Sequence, residues 1–389
     1  MNQDRSDGIA PQTVILMAVA VGVAIANVYY NQPLLVDIQQ GLGVTPAEAG
    51  FLPVATQLGL ALGILLLVPL GDLLERRRLL VVLSCGTAIA LLGMALAVNL
   101  SWAVIASLGI GLTTMVPYLL LPLANEWAKP DQQGRVLGTI LSGLFVGILL
   151  ARTVSGLVGA WVGWRYMYAL ASGLMLILVL ALHRLLPESR PQIKTSYAEL
   201  LLSLWHLVRS QPLLRKSSLL QAMLFGCLIA FWGVLAFFLA GPPYNYGSEV
   251  AGMFGLVGLV TAFAAPRVGQ MVDRSGSDRI IGISIALVAI ALLVLLFIGY
   301  SLWGLILGTV LLDLGVQSAH LANQNRIYRL VPGAGNRIGT VYFVSSFIGG
   351  GLGSFLQTYA WKTWHWTGAC LVCLLMTGIA FLVHGWGQE

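Results

Sequence analysis

Apolar residues run along this chain in twelve long stretches, at 12–36, 46–70, 79–98, 101–127, 136–160, 164–185, 216–240, 249–272, 280–299, 301–325, 337–360 and 364–386. Each meets the length of about 20 residues that one helical crossing of a lipid hydrocarbon core requires. The punctuation between them is short: Leu42-Gly43-Val44-Thr45-Pro46, Asn99-Leu100-Ser101, Gly241-Pro242-Pro243 and Gly299-Tyr300-Ser301. The pattern predicts an all-α membrane protein of twelve transmembrane helices. No cleavable signal is expected, because the tail carries Asp4, Arg5 and Asp7 and the first apolar run is too long for a signal core.

One connection is long. Residues 186–215 hold Pro187, Glu188, Arg190, Pro191, Lys194, Glu199, Arg209 and Arg215. Within them Tyr197 to Val208 sets Leu200, Leu201, Leu204, Leu207 and Val208 on one helical face, which suits a helix lying on a membrane surface. The expected organisation is a six-helix half at 1–186, a cytoplasmic amphipathic linker at 187–215 and a second six-helix half at 216–389. The halves echo each other. Leu123-Ala124-Asn125 ends the fourth span and Leu321-Ala322-Asn323 the tenth; Arg135 with Gly138-Thr139 opens the fifth, and Arg337 with Gly339-Thr340 the eleventh. An internal duplication of this kind places a transport site at the repeat interface, near the bilayer midplane.

Composition agrees with the pattern. Of 389 residues, 58% are hydrophobic and 9% charged, whereas a soluble domain carries about 25% charged residues. The net charge is +6, but the basic residues form no patch for nucleic acid. They sit between apolar runs, as topology signals do. With the N-terminus in the cytoplasm, all but Arg152, Arg165 and Lys362 fall on cytoplasmic loops or helix ends. Both termini are therefore expected in the cytoplasm. Cys85, Cys227, Cys370 and Cys373 all lie in apolar runs and read as packing residues rather than as a redox or metal pair.

Two motifs carry a family resemblance. The loop after the eighth span, Gly269-Gln-Met-Val-Asp273-Arg274-Ser-Gly276, resembles the G-x-x-x-D-R-x-G signature of the major facilitator superfamily. Its first-half counterpart keeps Asp72, Glu75 and the cluster Arg76, Arg77 and Arg78. A carboxylate at a helix end with arginines a turn away can latch one conformation through charge-assisted bonds; the alternative is a solvated, positive-inside loop. The fifth span, with Gly138, Gly147, Ala151, Ser155 and Gly156, is similar in spacing to the family's exporter signature, in which small residues let this helix approach the opposite half. Arg152 stands where that signature has proline. The whole chain thus resembles a twelve-helix member of the drug and metabolite:proton antiporter branch, and Tyr29-Tyr30-Asn31-Gln32-Pro33 resembles a group of bacterial efflux proteins. The fourth span lacks the membrane-embedded Arg that many antiporters of that branch use.

Asp313 is the only acid deep within an apolar run, about twelve residues from either end of the tenth span. An ionised Asp at that depth costs about 2.5–3.5 kcal/mol on insertion scales. It must be neutralised by a proton or paired with a cation, and the one deep cation is Arg152, roughly 6 Å from the midplane at 1.5 Å per residue. The pair is expected to carry proton coupling; the alternative is a permanent structural ion pair, or two residues that never meet. The expected substrate cavity gathers Asn27, Tyr30, Asn31, Tyr118, Gln221, Phe225, Trp232 and Gln317, with His320 as a further relay candidate or a structural residue. Neutral amides and aromatic rings suit an amphipathic organic molecule. Glu126 and Arg135, flanking the loop after the fourth span, are a further gating candidate. Trp102, Trp161, Trp164, Trp303, Trp361 and Trp366 read as interfacial anchors.

No P-loop, HExxH, nucleophile elbow or haem or flavin signature occurs, so neither cofactor nor metal is expected. The reading is a monomeric secondary active exporter, not an enzyme. It would exchange protons for a small amphipathic organic molecule within the lipid bilayer. The rivals are a proton-coupled sugar or nutrient importer, and an intramembrane enzyme or receptor.

Overall fold

The computed structural model describes residues 9–189, 196–331 and 334–385. The tail residues Asp4, Arg5 and Asp7, and Arg190, Pro191 and Lys194 of the linker, lie outside them. Helices account for the fold: α1 (Pro11–Ala26), α2 (Asn31–Leu42), α3 (Pro46–Ala49), α4 (Phe51–Leu66), α5 (Arg76–Ala95), α6 (Leu100–Thr113), α7 (Val116–Trp127), α8 (Gln133–Val162), α9 (Trp164–Leu185), α10 (Tyr197–Ser210), α11 (Pro212–Ala240), α12 (Ser248–Met253), α13 (Gly258–Ser275), α14 (Ser277–Ile298), α15 (Leu302–Ile327) and α16 (Gly335–Gly385). Among the described residues ten segments are long and apolar enough to cross a membrane. One of them, α16, is two helices meeting at His365, whose φ of 48° breaks the run. The broken segment from α12 through a 3-10 turn at Phe254–Val257 into α13 supplies the remaining crossing.

Helix ends follow local chemistry. Thr45 with Glu48 and Ser196 with Glu199 form reciprocal capping boxes at α3 and α10. The Asn99 side chain accepts from Trp102 N at the start of α6, and Glu75 accepts from the amides of Arg77 and Arg78. Single residues, Gly163 (φ 102°) and Gly276 (φ 82°), reverse the chain between α8 and α9 and between α13 and α14. At those angles a side chain is strained, so glycine is required.

Two crossings show the duplication physically. A Cβ at Gly22 would stand 2.6 Å from the Gly143 carbonyl oxygen, and one at Gly147 would meet the Gly22 carbonyl. In the second half a Cβ at Gly226 would stand 2.5 Å from the Gly349 carbonyl oxygen, and one at Gly353 would meet the Gly226 carbonyl. The first span thus crosses the fifth as the seventh crosses the eleventh, backbone on backbone, as small residues permit in lipid. Gly349→Val would drive its side chain into the Ala222 backbone, whose Cα would lie 2.5 Å from the new Cβ. A loss of about 1–3 kcal/mol is expected from such overpacking, read as a lower melting temperature of the purified protein.

Buried apolar side chains form two main clusters, one of residues from the first half joined by Ile229 and Phe347, the other wholly of the second half. Trp102, Trp161 and Trp303 face outward, as belt residues do. Trp164 and Trp366 are instead buried. Trp366 stacks on Phe238 with centroids 3.7 Å apart and donates to the Leu295 carbonyl at 2.9 Å, so its polar atom is satisfied inside the protein. In the linker, α10 buries Leu204 and Leu207, the latter beside Leu214, Ile327, Ile338 and Tyr342, while the Tyr197 hydroxyl donates to the Leu66 carbonyl at 2.8 Å.

The loops alternate between two ends. One end, holding Arg76–Arg78, Lys129, Arg135, Arg274 and Arg326, is the basic end. At the other the halves meet: a Cβ at Gly252 would lie 3.0 Å from Gly156 Cα, one at Gly50 would lie 2.5 Å from Thr358 Oγ1, and Phe51 packs edge-on to Phe355. Contacts between α8 and the eighth span thin out along α13, and Gly134, Gly138 and Gly269 have open space where a Cβ would stand.

Candidate functional site

The first, fourth and eighth spans are all broken. At Asn27–Tyr30 the amides of Asn27, Val28 and Tyr29 turn back to the carbonyls of Ala24, Ile25 and Ala26 at 3.2, 3.2 and 3.0 Å, one residue tighter than an α-helix. The fourth span breaks at Thr114 and Met115, just before Pro117. The eighth begins with Gly247, Gly252, Gly255 and Gly258 and does not settle into a long helix until Gly258. Irregular backbone at membrane depth survives only where protein or a cavity surrounds it, and transporters place their sites there.

Arg152 projects from α8 beside these breaks and is 5% exposed. Its Nε donates to Gln32 Oε1 at 2.7 Å, and its guanidinium carbon lies 3.8 Å from the Trp232 ring centroid and 5.0 Å from that of Tyr29. A planar guanidinium over a buried indole gains about 2 kcal/mol or more when desolvated. The side chain fits because the eighth span offers glycines: a Cβ at Gly255 would stand 2.7 Å from Arg152 Cβ, and one at Gly252 2.5 Å from its carbonyl oxygen. Asp313, 6% exposed on α15, accepts one hydrogen bond, from Thr261 Oγ1 at 2.8 Å. Among the described residues Arg152 and Asp313 form no ion pair, having no nitrogen–oxygen contact within 4.0 Å of each other.

Around this core the amides present spare acceptors. Asn27 Nδ2 donates to the carbonyls of Val23 and Ala24, and Asn31 Nδ2 to Thr56 Oγ1 at 3.3 Å; both Oδ1 atoms are buried and unpaired, as are Gln57 Oε1, Gln221 Oε1 and Trp232 Nε1. Tyr118 packs edge-on to Phe343 and Phe347, and Phe225 to Phe347, closing an aromatic layer between the halves. Tyr30 is buried in the core of the first half, and Gln317 is half-buried. His320 is fully engaged: Nδ1 lies 3.0 Å from the Tyr342 hydroxyl and Nε2 3.1 Å from Gln324 Nε2. With Gln324 donating to Nε2, the proton sits on Nδ1 and reaches Tyr342, a structural arrangement.

Along α8 the small residues divide their work. Gly147 crosses α1, Ala151 and Ser155 are buried, Gly156 lies against Gly252 of the opposite half, and Gly138 faces open space. At the basic end Arg76 grips Glu126 bidentately at 2.7 and 2.9 Å, bonds Asp72 at 3.2 Å and donates to the Gly71 carbonyl. Arg77 pairs with Glu188 at 2.6 Å. The second half answers with Arg326, which bonds Asp278 at 2.5 Å, Ser217 at 2.7 Å and Asn323 at 2.9 Å. Asp273, Arg274 and Arg135 are not in ion pairs among the described residues; Glu126 is held by Arg76 and not by Arg135. Residues that sequence reasoning did not assign are Tyr29, Gln32, Thr261, Asp278 and Arg326. For Gln32 the signal was present, a lone amide inside the Tyr29–Pro33 motif; Thr261 had none.

Residues 17–281 match the profile of the Major Facilitator Superfamily. The chain belongs to that superfamily. It is 40% identical over 375 residues to the uncharacterized transporter YgaY of Escherichia coli O157:H7, covering 96% of this chain and 95% of that one. It is 35% identical over 372 residues to the probable transporter SCO4007 of Streptomyces coelicolor, covering 95% and 85%. The fold is shared with a bacterial homologue of the human lysosomal transporter Spinster, solved inward-facing and occupied, with a TM-score of 0.78 at 14% identity over 97% of each chain. As a major facilitator, the protein is an all-helical, multi-pass inner-membrane transporter of small molecules.

Proposed function

We propose that this transporter is a secondary active exporter, exchanging protons for a small amphipathic organic molecule as its halves rock about the Arg152–Asp313 region. The observation that carries the reading is Asp313, sunk in the tenth span with one neutral hydrogen-bond donor and, among the described residues, no cation within ion-pair distance. A carboxylate so placed is stable when protonated and strained when ionised. The cation on the same broken eighth span is Arg152, which lies against Gly252 and Gly255. Ionisation therefore depends on how close Arg152 comes, and rocking of the halves changes that distance.

By the positive-inside rule the basic end is cytoplasmic, with both termini. The halves then meet at the periplasmic face and part toward the cytoplasm, a state that loads substrate from inside. Inward movement of one proton across about 100 mV supplies about 2.3 kcal/mol, enough for a roughly fiftyfold gradient. The test is uptake into everted vesicles: accumulation is expected to collapse on adding a protonophore. Accumulation that ignores the proton gradient rejects the coupling. A proton-coupled sugar or nutrient transporter is the second reading, favoured by the unpaired amide oxygens of Asn27, Asn31 and Gln221, which a polyhydroxylated molecule would satisfy.

A further inference from the structure

Arg152 and Asp313, both more than nine-tenths buried, pack on the same broken eighth span, Arg152 against Gly252 and Gly255 and Asp313 on Thr261, yet form no ion pair among the described residues. Two such groups free to meet would close into an ion pair. Each is instead fixed from its own side: Arg152 by Gln32 and the Trp232 ring, Asp313 by Thr261. Each also keeps hydrogen-bonding capacity in reserve. Among the described residues neither Nη atom of Arg152 nor Oδ1 of Asp313 has a hydrogen-bond partner, and none of the three is among the buried unpaired atoms. Spare donors on one side and a spare acceptor on the other thus flank the broken eighth span.

We propose that the substrate is a zwitterion of the amino-acid type, its carboxylate on the Nη fork of Arg152 and its ammonium on Asp313 Oδ1. The inference rests on the exporter reading for the use of the site. Only a molecule carrying both charges satisfies both ends. Once Asp313 has released its proton, a simple anion would lie beside its carboxylate and a simple cation beside Arg152, each leaving one buried charge opposed. The guanidinium fork matches a carboxylate in plane, with two parallel bonds. The rings of Tyr29 and Trp232 next to Arg152 offer an apolar wall for the side chain of such a molecule. The same geometry explains exchange. A proton on Asp313 removes the counter-charge of the ammonium, so proton and substrate bind in competition, as an antiporter needs.

The test uses purified full-length protein in thermal-shift and tryptophan-fluorescence titrations. The probes are leucine, phenylalanine and tryptophan, each beside its methyl ester, which is cationic, and its N-acetyl derivative, which is anionic. At least one zwitterion is expected to bind about tenfold or more tighter than either derivative, the loss from leaving a buried charge unmatched. Asp313→Asn is expected to erase the preference over the N-acetyl compound, and Arg152→Gln that over the ester. An ester or N-acetyl compound equal to its zwitterion in the wild type overturns the proposal, as does binding of no zwitterion in the series. Proton-driven transport confined to neutral or singly charged compounds would sink this inference and leave the exporter standing. Zwitterion preference without any response to the proton gradient would do the reverse.

Discussion

Asp313→Asn is expected to lower proton-driven transport by about a hundredfold or more while leaving substrate exchange at zero gradient measurable. A hydrogen bond to a charged group is worth about 1.5–3 kcal/mol, which corresponds to one to two decades, and loss of the titrating group removes the drive altogether. Asparagine is close in shape to the protonated acid and can still accept from Thr261 Oγ1, which now bonds Asp313 Oδ2 at 2.8 Å. Packing is therefore kept and only ionisation is lost. Proteoliposomes separate the two outcomes, because counterflow reads binding and rocking whereas pH-jump flux reads coupling. Wild-type pH-jump flux in the variant would remove Asp313 from the mechanism.

The spans, the linker helix and the duplication were legible because hydropathy is a one-dimensional property. An apolar run must cross the membrane whatever its neighbours, and a repeated Leu-Ala-Asn or Gly-Thr marks a repeated boundary. The depth of Asp313 and Arg152 could be counted for the same reason. Their partners could not be, since Gln32, Trp232 and Thr261 come to the site from spans far apart in sequence. The helix breaks at Asn27–Tyr30 and Thr114–Met115 lie inside apolar runs of normal length and leave hydropathy unchanged. The ion pairs at the basic end were half visible. Arg76 and Glu126 were both singled out, but as members of different clusters, and in the structure they hold each other. The second half uses reversed polarity: the acid Asp278 opens the ninth span and the cation Arg326 ends the tenth. A search for the same charges at the same offsets overlooks such an exchange.

Arg152→Lys is expected to weaken substrate binding by about thirtyfold, although the charge is retained. Lysine presents a compact ammonium in place of a flat fork. It would lose the face that lies 3.8 Å from the Trp232 ring centroid and the Nε donor that Gln32 accepts at 2.7 Å. The stacking alone is worth about 2 kcal/mol in a desolvated site, or somewhat more than a decade in affinity. Gln32 Oε1, 3% exposed at the residue level, would then join the buried acceptors without partners. Arg152→Ala removes the charge as well and is expected to fall further, because both the Gln32 acceptor and the Trp232 face would lose the cation they hold. The two variants therefore differ in a second readout. Arg152→Lys keeps a pH-dependent flux at reduced affinity, whereas Arg152→Ala, with no cation left at that position, is expected to lose the pH dependence of its flux. Equal pH profiles in the two variants would show that the guanidinium holds the fold alone and takes no part in coupling.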